Sequence, residues 1–279
     1  MTRTFDVSVR VNSSGPPVRD EAYPIDASSQ LNGSATALIL IHGYNVSTSD
    51  ARKVYSGFIE ALNAASETKL NLPICQFMWP GDESNPIWST LSYAGKIDVA
   101  LDSGRVLGEF LSQLHGPGGS PINLYIVAHS LGNRVLMALL NRVRDETSVV
   151  VQSVTMMAAA VPVEMVVYPQ PFFRSCMTPR RSLVLHSIAD WVLGSVFPLG
   201  ETVHGDAIMP TAVGWLGQPT SNWTEHKPYN SFQHGHYWSK SGPSSDVARL
   251  LGFSTPRMTA SNAIPSRETQ MRKFPGQPL

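Results

Sequence analysis

Ser130 is the residue that the surrounding sequence best prepares for chemistry. Residues 122–128 form a run rich in β-branched and aromatic side chains, which is typical of a buried strand, and helical spacing begins at Leu131. A serine in a tight strand-to-helix turn needs small residues two positions before and after it, because the two chain segments nearly touch there. Ala128 and Gly132 meet that need. The stretch therefore predicts a serine nucleophile at a sharp turn.

Such a turn also provides a partner for the negative charge that a nucleophilic serine creates. It lifts the Ser130 hydroxyl clear of the sheet and leaves the backbone N–H of Leu131 at a helix N-terminus, where it can bind a developing oxyanion. The alternative is a serine in an ordinary strand–helix junction. The strand pattern before Ser130 and the helix pattern after it favour the nucleophile.

Length and composition predict one large α/β domain. The chain has 279 residues and no evident linker before its C-terminal part, so we expect a single domain over residues 1–253. Residues 254–279 lack periodicity and predict an extended or disordered tail. With 42% hydrophobic and 15% charged residues, the chain can fill a large core and leave apolar surface exposed around a site.

The charge balance and the cysteine count restrict partners and location. Lys and Arg number 21, as do Asp and Glu, so the sequence predicts neither a nucleic-acid partner nor an anionic membrane partner. The N-terminal residues alternate in polarity, unlike a signal peptide, and the most apolar segment, residues 154–167, is too short to span a bilayer. Two cysteines indicate no disulfide framework, and we expect a cytoplasmic protein.

Three motifs together resemble a known family. They are, in chain order, Ile39-Leu-Ile-His-Gly-Tyr-Asn45, Phe77-Met-Trp-Pro-Gly81 and Val127-Ala-His-Ser-Leu-Gly-Asn-Arg-Val135. From about residue 36 to residue 240 the chain resembles the α/β-hydrolase superfamily and, more narrowly, the bacterial serine hydrolases grouped as DUF900. The resemblance implies an α/β-hydrolase fold with a mostly parallel, doubly wound sheet.

The resemblance also implies an oxyanion hole and the walls around it. The backbone amide of Tyr44 would be the second donor beside that of Leu131. His129 is expected to be packed, with its side chain directed away from that of Ser130. The candidates for the substrate pocket are His42, Gly43, Asn45, Trp79, His129 and His236.

The acid of a triad is expected just after a later strand. Ser182–His186 is predicted as that strand, and Ser187-Ile-Ala-Asp-Trp-Val-Leu193 after it resembles the acid loop of many α/β-hydrolases, which implies Asp190 as the acid. The alternative is an aspartate that stabilises a helix N-terminus. Related sequences usually carry a small-Pro-Asp turn near residue 160, and its absence here leaves Glu164 as a weak substitute.

The base is expected in the segment Asn230-Ser-Phe-Gln-His-Gly-His-Tyr-Trp238. The spacing His-x-x-Tyr-Trp that begins at His234 resembles the catalytic-histidine loop of lipases and esterases. His236 is the alternative, because related chains also place an aromatic residue directly after the catalytic histidine. The order Ser130, Asp190, His234 is the order of α/β-hydrolase triads.

Other patterns predict the periphery of the fold. Strict alternation over Phe5–Val11 predicts an antiparallel edge strand, and Glu21–Asp26 is a candidate for a second one. Thr211–Leu216 is expected to be the last strand. The proline- and aromatic-rich segment within residues 163–181 predicts a small lid or pocket wall.

The predicted function is hydrolysis of a small-molecule carboxylic ester, with a short acyl group, through an acyl-enzyme on Ser130. A thioesterase, a lipase or an acyltransferase would share these residues, and a non-catalytic binding protein of the same fold is the alternative of a different class. No cofactor is expected. His204, Asp206, His226 and the pair His234 and His236 could instead suggest a metal site, which is disfavoured because the histidines lie in separate loops.

Overall fold

A parallel β-sheet covered by helices forms the centre of the protein. The computed structural model describes residues 3–10, 30–68, 70–81 and 90–253, and within them seven strands form one sheet in the order β1-β3-β2-β4-β5-β6-β7. All pairs of neighbouring strands are parallel. The strands are β1 (Thr4–Ser8), β2 (Thr36–Ile41), β3 (Ile74–Met78), β4 (Ile122–His129), β5 (Val149–Met157), β6 (Arg181–His186) and β7 (Glu225–Pro228).

Helices connect these strands and cover both faces of the sheet. The α-helices are α1 (Thr48–Ala65), α2 (Thr90–Ser112), α3 (Gly132–Val143), α4 (Phe173–Met177), α5 (Phe197–His204), α6 (Val213–Leu216), α7 (His236–Ser239) and α8 (Ser241–Leu250). Short 3₁₀ turns lie at Pro117–Gly119, Val163–Val166 and Thr220–Asn222, and a π-helical turn at Val192–Val196 leads directly into α5. None of the helices in the described ranges is both long and apolar enough to cross a membrane.

The order of the strands assigns the helices to two layers. From β2 the chain moves to β3 on one side, and from β3 it crosses β2 to reach β4 on the other side. Because parallel crossovers are right-handed, α1 and α2 must lie on opposite faces of the sheet. The contacts agree, since α1 packs on α8, whereas α2 packs on α3 and α5. This double layer buries the central strands, and all of β3 is buried.

The doubly wound parallel sheet that the sequence predicts is confirmed, but its N-terminal edge is not antiparallel. Strand β1 pairs with β3 in parallel, with Phe5 opposite Cys75 and Val7 opposite Phe77. Phe5 and Val7 are buried, as the alternation predicts. The predicted antiparallel direction of β1 is therefore wrong. Alternation shows which face of a strand is buried, but it carries no information about the direction of the strand.

The predicted last strand is also wrong. Residues 213–216 form helix α6, and Ala212 makes only an isolated bridge to Pro162. In the described part of the chain the last strand is β7, whose sequence Glu-His-Lys-Pro has no apolar pattern because it lies at the exposed edge of the sheet. The candidate strand Glu21–Asp26 and the predicted tail, residues 254–279, lie outside the described residues.

The segment predicted as a lid, residues 163–181, packs against α3. Its helix α4 contacts α3, and the ring of Phe172 lies 5.6 Å from the guanidinium carbon of Arg134, which is part of α3. Met165 of the same segment accepts a hydrogen bond from Arg134 through its sulfur. The segment therefore covers the outer side of α3.

Gly132 should tolerate no side chain, because a Cβ there would lie well under 3.0 Å from the carbonyl oxygen of His42. We expect Gly132→Ala to lower the free energy of unfolding by about 1–3 kcal/mol, the usual effect of overpacking. Gly57→Ala is the matched control: Gly57 is exposed within α1 with open space around it, and the change should stabilise the protein by about 0.5–1 kcal/mol. Urea denaturation measures both, and equal stabilities for the two variants would contradict the close approach.

Candidate active site

Ser130 has the backbone of a sharp turn between β4 and α3. Its φ is +54°, in the left-handed region that non-glycine residues rarely adopt. Its N–H donates to the carbonyl of Met157 at 3.0 Å, and its carbonyl accepts from the N–H groups of Asn133 at 3.0 Å and Ala160 at 3.2 Å. These bonds anchor the strained residue to the end of β5 and to the start of the helix.

Two glycines bring the loop after β2 against this turn. A Cβ on Gly43 would lie 2.8 Å from the Cβ of Ser130, and one on Gly132 would collide with the carbonyl of His42. Strands β2 and β4 are neighbours, so both loops leave the sheet at the same edge. Leu131, at the N-cap of α3, and Tyr44 consequently lie beside the serine.

A continuous chain of hydrogen bonds links Ser130, His234 and Asp190. His234 Nε2 lies 2.7 Å from Ser130 Oγ, and His234 Nδ1 lies 2.8 Å from Asp190 Oδ2. With Nδ1–H donating to the carboxylate, Nε2 accepts the hydrogen bond from the Ser130 hydroxyl. Asp190 is fully buried, and its Oδ1 accepts from the N–H of Leu193 at 3.2 Å. The three residues that the resemblance implied are thus brought together.

The loops that carry Asp190 and His234 are held to each other. The hydroxyl of Ser187 donates to the carbonyl of Phe232 at 2.8 Å, which joins the Asp190 loop to the His234 loop. His129 Nε2 lies 2.7 Å from the carbonyl of His234. Burial, and then the nearby His234, lower the pKa of His129 to about 3, so its ring is neutral and its N–H donates to that carbonyl. His129 thus contacts the histidine loop.

His236, the alternative base, is in a different position. It begins helix α7, and its Nδ1 accepts from the N–H of Gln233 at 3.1 Å. Its ring packs edge-on against Phe232 at 5.7 Å. The structure brings His234 to Ser130 and leaves His236 on the outer side of the loop.

His42 and Trp79 form a buried stack behind the loop after β2. Their ring centroids are 5.5 Å apart, and the indole N–H of Trp79 donates to the carbonyl of His42 at 2.8 Å. Burial lowers the pKa of His42 to about 3, so the ring is neutral. Asn45 turns the loop with a φ of +56°, and its N–H donates to Gly81 at 2.6 Å. These residues shape the loop from behind.

A small apolar cavity, with a volume of about 20 Å³, opens beside the serine. Apart from Ser130 and His234, its walls are entirely apolar or aromatic: Tyr44, Tyr93, Ala160, Val192, Leu193, Val196 and Phe197. Four of these seven residues belong to the π-helical turn and the start of α5. The six residues predicted for the pocket are not among the lining residues, and neither is any residue of the segment 163–181.

A buried ionic network lies behind the cavity, and the residue patterns in the sequence did not predict it. Arg134 of α3 is fully buried and pairs with Glu201 of α5 and, at 3.0 Å, with Asp206. Glu201 also accepts from the hydroxyl of Tyr93 at 3.2 Å, and the Tyr93 ring lines the cavity. The arginine in the helix pattern after Ser130 was the available signal, because its position on α3 directs it into the protein interior.

No metal site accompanies these groups: the parts of the chain that the structure describes contain no cluster of three or more His, Cys, Asp or Glu side chains suited to a metal ion. His204, one of the alternatives for a ligand, pairs instead with Asp206 at 3.1 Å.

The model of the family described as "Alpha/beta hydrolase of unknown function (DUF900)" matches residues 26–208, more than half of the chain. The chain belongs to this family. It is accordingly a hydrolase of the α/β fold, as the sequence motifs implied. A comparison with curated proteins found no match.

Several solved structures are similar over most of their length. The product of the Listeria innocua gene lin2722 is 13% identical, with 80% of this chain and 96% of that chain covered and a TM-score of 0.43. The Pyrococcus furiosus esterase Pf2001 is 12% identical, with coverages of 80% and 84% and a TM-score of 0.42. TT1662 from Thermus thermophilus is 13% identical, with coverages of 79% and 89% and a TM-score of 0.45. Identities and TM-scores this low carry no information about the substrate.

The buried carboxyl of Glu201 gives a pH-dependent prediction. Burial raises its pKa from 4.5 to about 6, against the opposing effect of Arg134. A carboxyl with a raised pKa binds more protons in the folded chain, so its stabilising contribution is full below about pH 4.5 and is lost as the pH rises through about 6. The difference in unfolding free energy between the wild type and Glu201→Gln should therefore fall by about 2 kcal/mol over this range.

Urea denaturation of both proteins from pH 4.5 to pH 7 measures that difference. Asp206 and His204 are present in both proteins, so their own titration largely cancels. Glu164→Gln, at an exposed carboxylate, is the control. A difference that stays flat across the range would contradict the raised pKa.

Proposed function

We propose that this protein is a serine hydrolase that cleaves carboxylic esters through an acyl-enzyme on Ser130. The observation that supports the proposal is the unbroken chain of short hydrogen bonds from Ser130 Oγ through His234 to the buried Asp190. A binding protein without turnover has no chemical need for these three groups in this geometry.

In the first half of the reaction, His234 acts as the general base. Its Nε2 removes the hydroxyl proton as Ser130 Oγ attacks the acyl carbonyl, and the Asp190 carboxylate stabilises the imidazolium that forms. The same imidazolium then gives its proton to the departing alcohol. Because the carboxylate is buried, its interaction with the imidazolium is little screened by water.

The oxyanion of the tetrahedral intermediate needs donors that are in place before the reaction. We assign this role to the backbone amides of Leu131 and Tyr44, which belong to the two loops that Gly43 and Gly132 bring together. A donor of this kind typically contributes about 3–4 kcal/mol to the transition state. In the second half of the reaction, water attacks the acyl-enzyme with His234 again as the base.

The composition of the cavity wall favours a substrate whose acyl group is uncharged. Its wall beside Ser130 consists of aliphatic and aromatic side chains, which would bind a hydrocarbon chain and offer no partner to a charged one. Hydrolysis of a thioester, or transfer of the acyl group to an acceptor other than water, would use the same three residues. Esterase, thioesterase and acyltransferase activities therefore differ only in the leaving group and the acceptor.

Labelling by a fluorophosphonate probe tests the nucleophile. We expect the wild type to be labelled, with the modification found by mass spectrometry on the peptide that contains Ser130. Ser130→Ala should abolish labelling and His234→Ala should reduce it at least about 100-fold, because the hydroxyl then lacks its base.

His236→Ala is the control for the neighbouring histidine and should label like the wild type. Absence of labelling in the folded wild type would overturn the mechanism. If His236→Ala stops labelling and His234→Ala does not, the base is His236 and the assignment to His234 is wrong.

The role of Asp190 is tested by Asp190→Asn, which keeps the size of the side chain and removes its charge. The amide favours the wrong tautomer of His234, so we expect kcat for a p-nitrophenyl ester to fall by about 10³- to 10⁴-fold. Glu164→Gln, at the alternative carboxylate, should leave kcat unchanged. The opposite pattern would assign the acid to Glu164.

A further inference from the structure

Large apolar side chains are exposed in one segment of the chain. In the part of the chain that the structure describes, nine large hydrophobic residues are exposed, and seven of them lie between residues 188 and 216. They are Ile188, Trp191, Leu199, Val203, Ile208, Met209 and Leu216. Exposed apolar residues that are concentrated in this way mark an interaction surface more often than scattered ones do. We call these seven residues the apolar face.

The apolar face borders the cavity beside Ser130. Trp191, Leu199 and Val203 recur at intervals of four or eight residues along the continuous π- and α-helical stretch, so they share one side of it. The half-exposed Val192 and Val196 lie next to that side and line the cavity. One helical stretch thus has an inner surface that lines the cavity and an outer surface that meets water.

Two further contacts attach the remaining members of the face to this stretch. The N–H of Met209 donates to the hydroxyl of Thr202 on α5 at 2.8 Å. The indole N–H of Trp215 donates to the carbonyl of Ile188 at 3.1 Å, beside Leu216. The exposed residues before and after the helix are therefore held close to it.

The segment has almost no exposed charge. No lysine or arginine occurs between Ser182 and His226. Of the acidic residues within the apolar segment, Asp190 and Glu201 are fully buried, and Asp206 is largely buried in its pair with Arg134. Asp98 of α2, which lies 3.5 Å from His204, is the exposed charge at the border. The seven side chains of the face carry no charge themselves, so burying them removes water from no charged group of the face, and the segment offers no lysine or arginine to an anionic surface.

We propose that the apolar face docks on an electrically neutral lipid surface and that the substrate is a water-insoluble ester drawn from that surface into the cavity. The statement about the substrate rests on the proposed function. A neutral lipid surface matches the missing charge, and Trp191, 60% exposed, is the type of residue that anchors proteins at such interfaces. A protein seated on this face would cover Val192 and Val196, whereas lipid there would supply an apolar substrate to the cavity that they line.

Binding is tested without catalysis, on the Ser130→Ala protein and vesicles of phosphatidylcholine, a zwitterionic lipid without net charge. We expect the protein to sediment with the vesicles, and Trp191→Ser with Leu199→Ser to weaken this binding at least tenfold. Met177→Ser, at an exposed apolar residue outside the face, is the matched control and should bind as its parent does. Addition of phosphatidylserine should not tighten binding at low salt. Failure of the folded protein to bind phosphatidylcholine, or binding only with phosphatidylserine, would overturn the proposal.

Hydrolysis tests the link to the substrate. The Trp191→Ser, Leu199→Ser double variant, with Ser130 intact, should cleave soluble p-nitrophenyl acetate at the wild-type rate. It should cleave a long-chain p-nitrophenyl ester held in phosphatidylcholine vesicles at least tenfold more slowly. Equal losses on both substrates would overturn the proposal.

Sedimentation velocity separates the remaining outcomes. A dimer that the double variant dissociates would show that the face joins two copies of the chain, and this too would overturn the proposal. Vesicle binding together with absence of labelling at Ser130 would leave the docking surface in place and refute the proposed hydrolysis. The two proposals therefore fail separately.

Discussion

The left-handed backbone of Ser130 is the constraint on which the rest of the site depends. A non-glycine residue in this region stores roughly 1–3 kcal/mol of strain, and it persists only where its surroundings determine it. Here Met157, Asn133 and Ala160 bind both polar groups of its backbone. This backbone conformation holds the Ser130 side chain above the end of β4. The small residues around it let the loop after β2 contact the turn. Both loops that carry the proposed oxyanion donors are thus set by one turn.

The connection between β6 and β7 brings the second half of the site. It begins with Asp190, continues into the π-helical turn that lines the cavity, and ends near the strand that precedes His234. Arg134 joins this connection to α3 through Glu201. A buried ion pair contributes little net stability when compared with apolar packing, so its main effect is to define position. The arginine is four residues after Ser130 on α3, so the ion pair fixes the position of the cavity wall relative to the helix that follows Ser130.

Residue patterns predicted the elements that are buried and missed those whose form depends on neighbours. The apolar runs that became β4 and β6 were recognisable because strands covered on both faces need apolar side chains throughout. Strand β7 was missed, since its residues face solvent and its place is decided by pairing with β6. The lid was expected in residues 163–181 from proline and aromatic content, yet that composition serves equally to pack against Arg134.

The sequence by itself determined the sharp turn at Ser130, the family, and the order of the three residues that the structure brings together. The turn is a local property, because the small residues beside the serine, the strand before it and the helix after it are close together in the sequence. The family and the order of the three residues follow from short motifs, each of which can be recognised without its neighbours in space. Tertiary structure decided that His234 rather than His236 meets Ser130, since the two differ only in how one loop is held by Ser187 and His129. It also decided which residues line the cavity, because a wall made by a helix 60 residues further along the chain exists only once the sheet has brought the loops together.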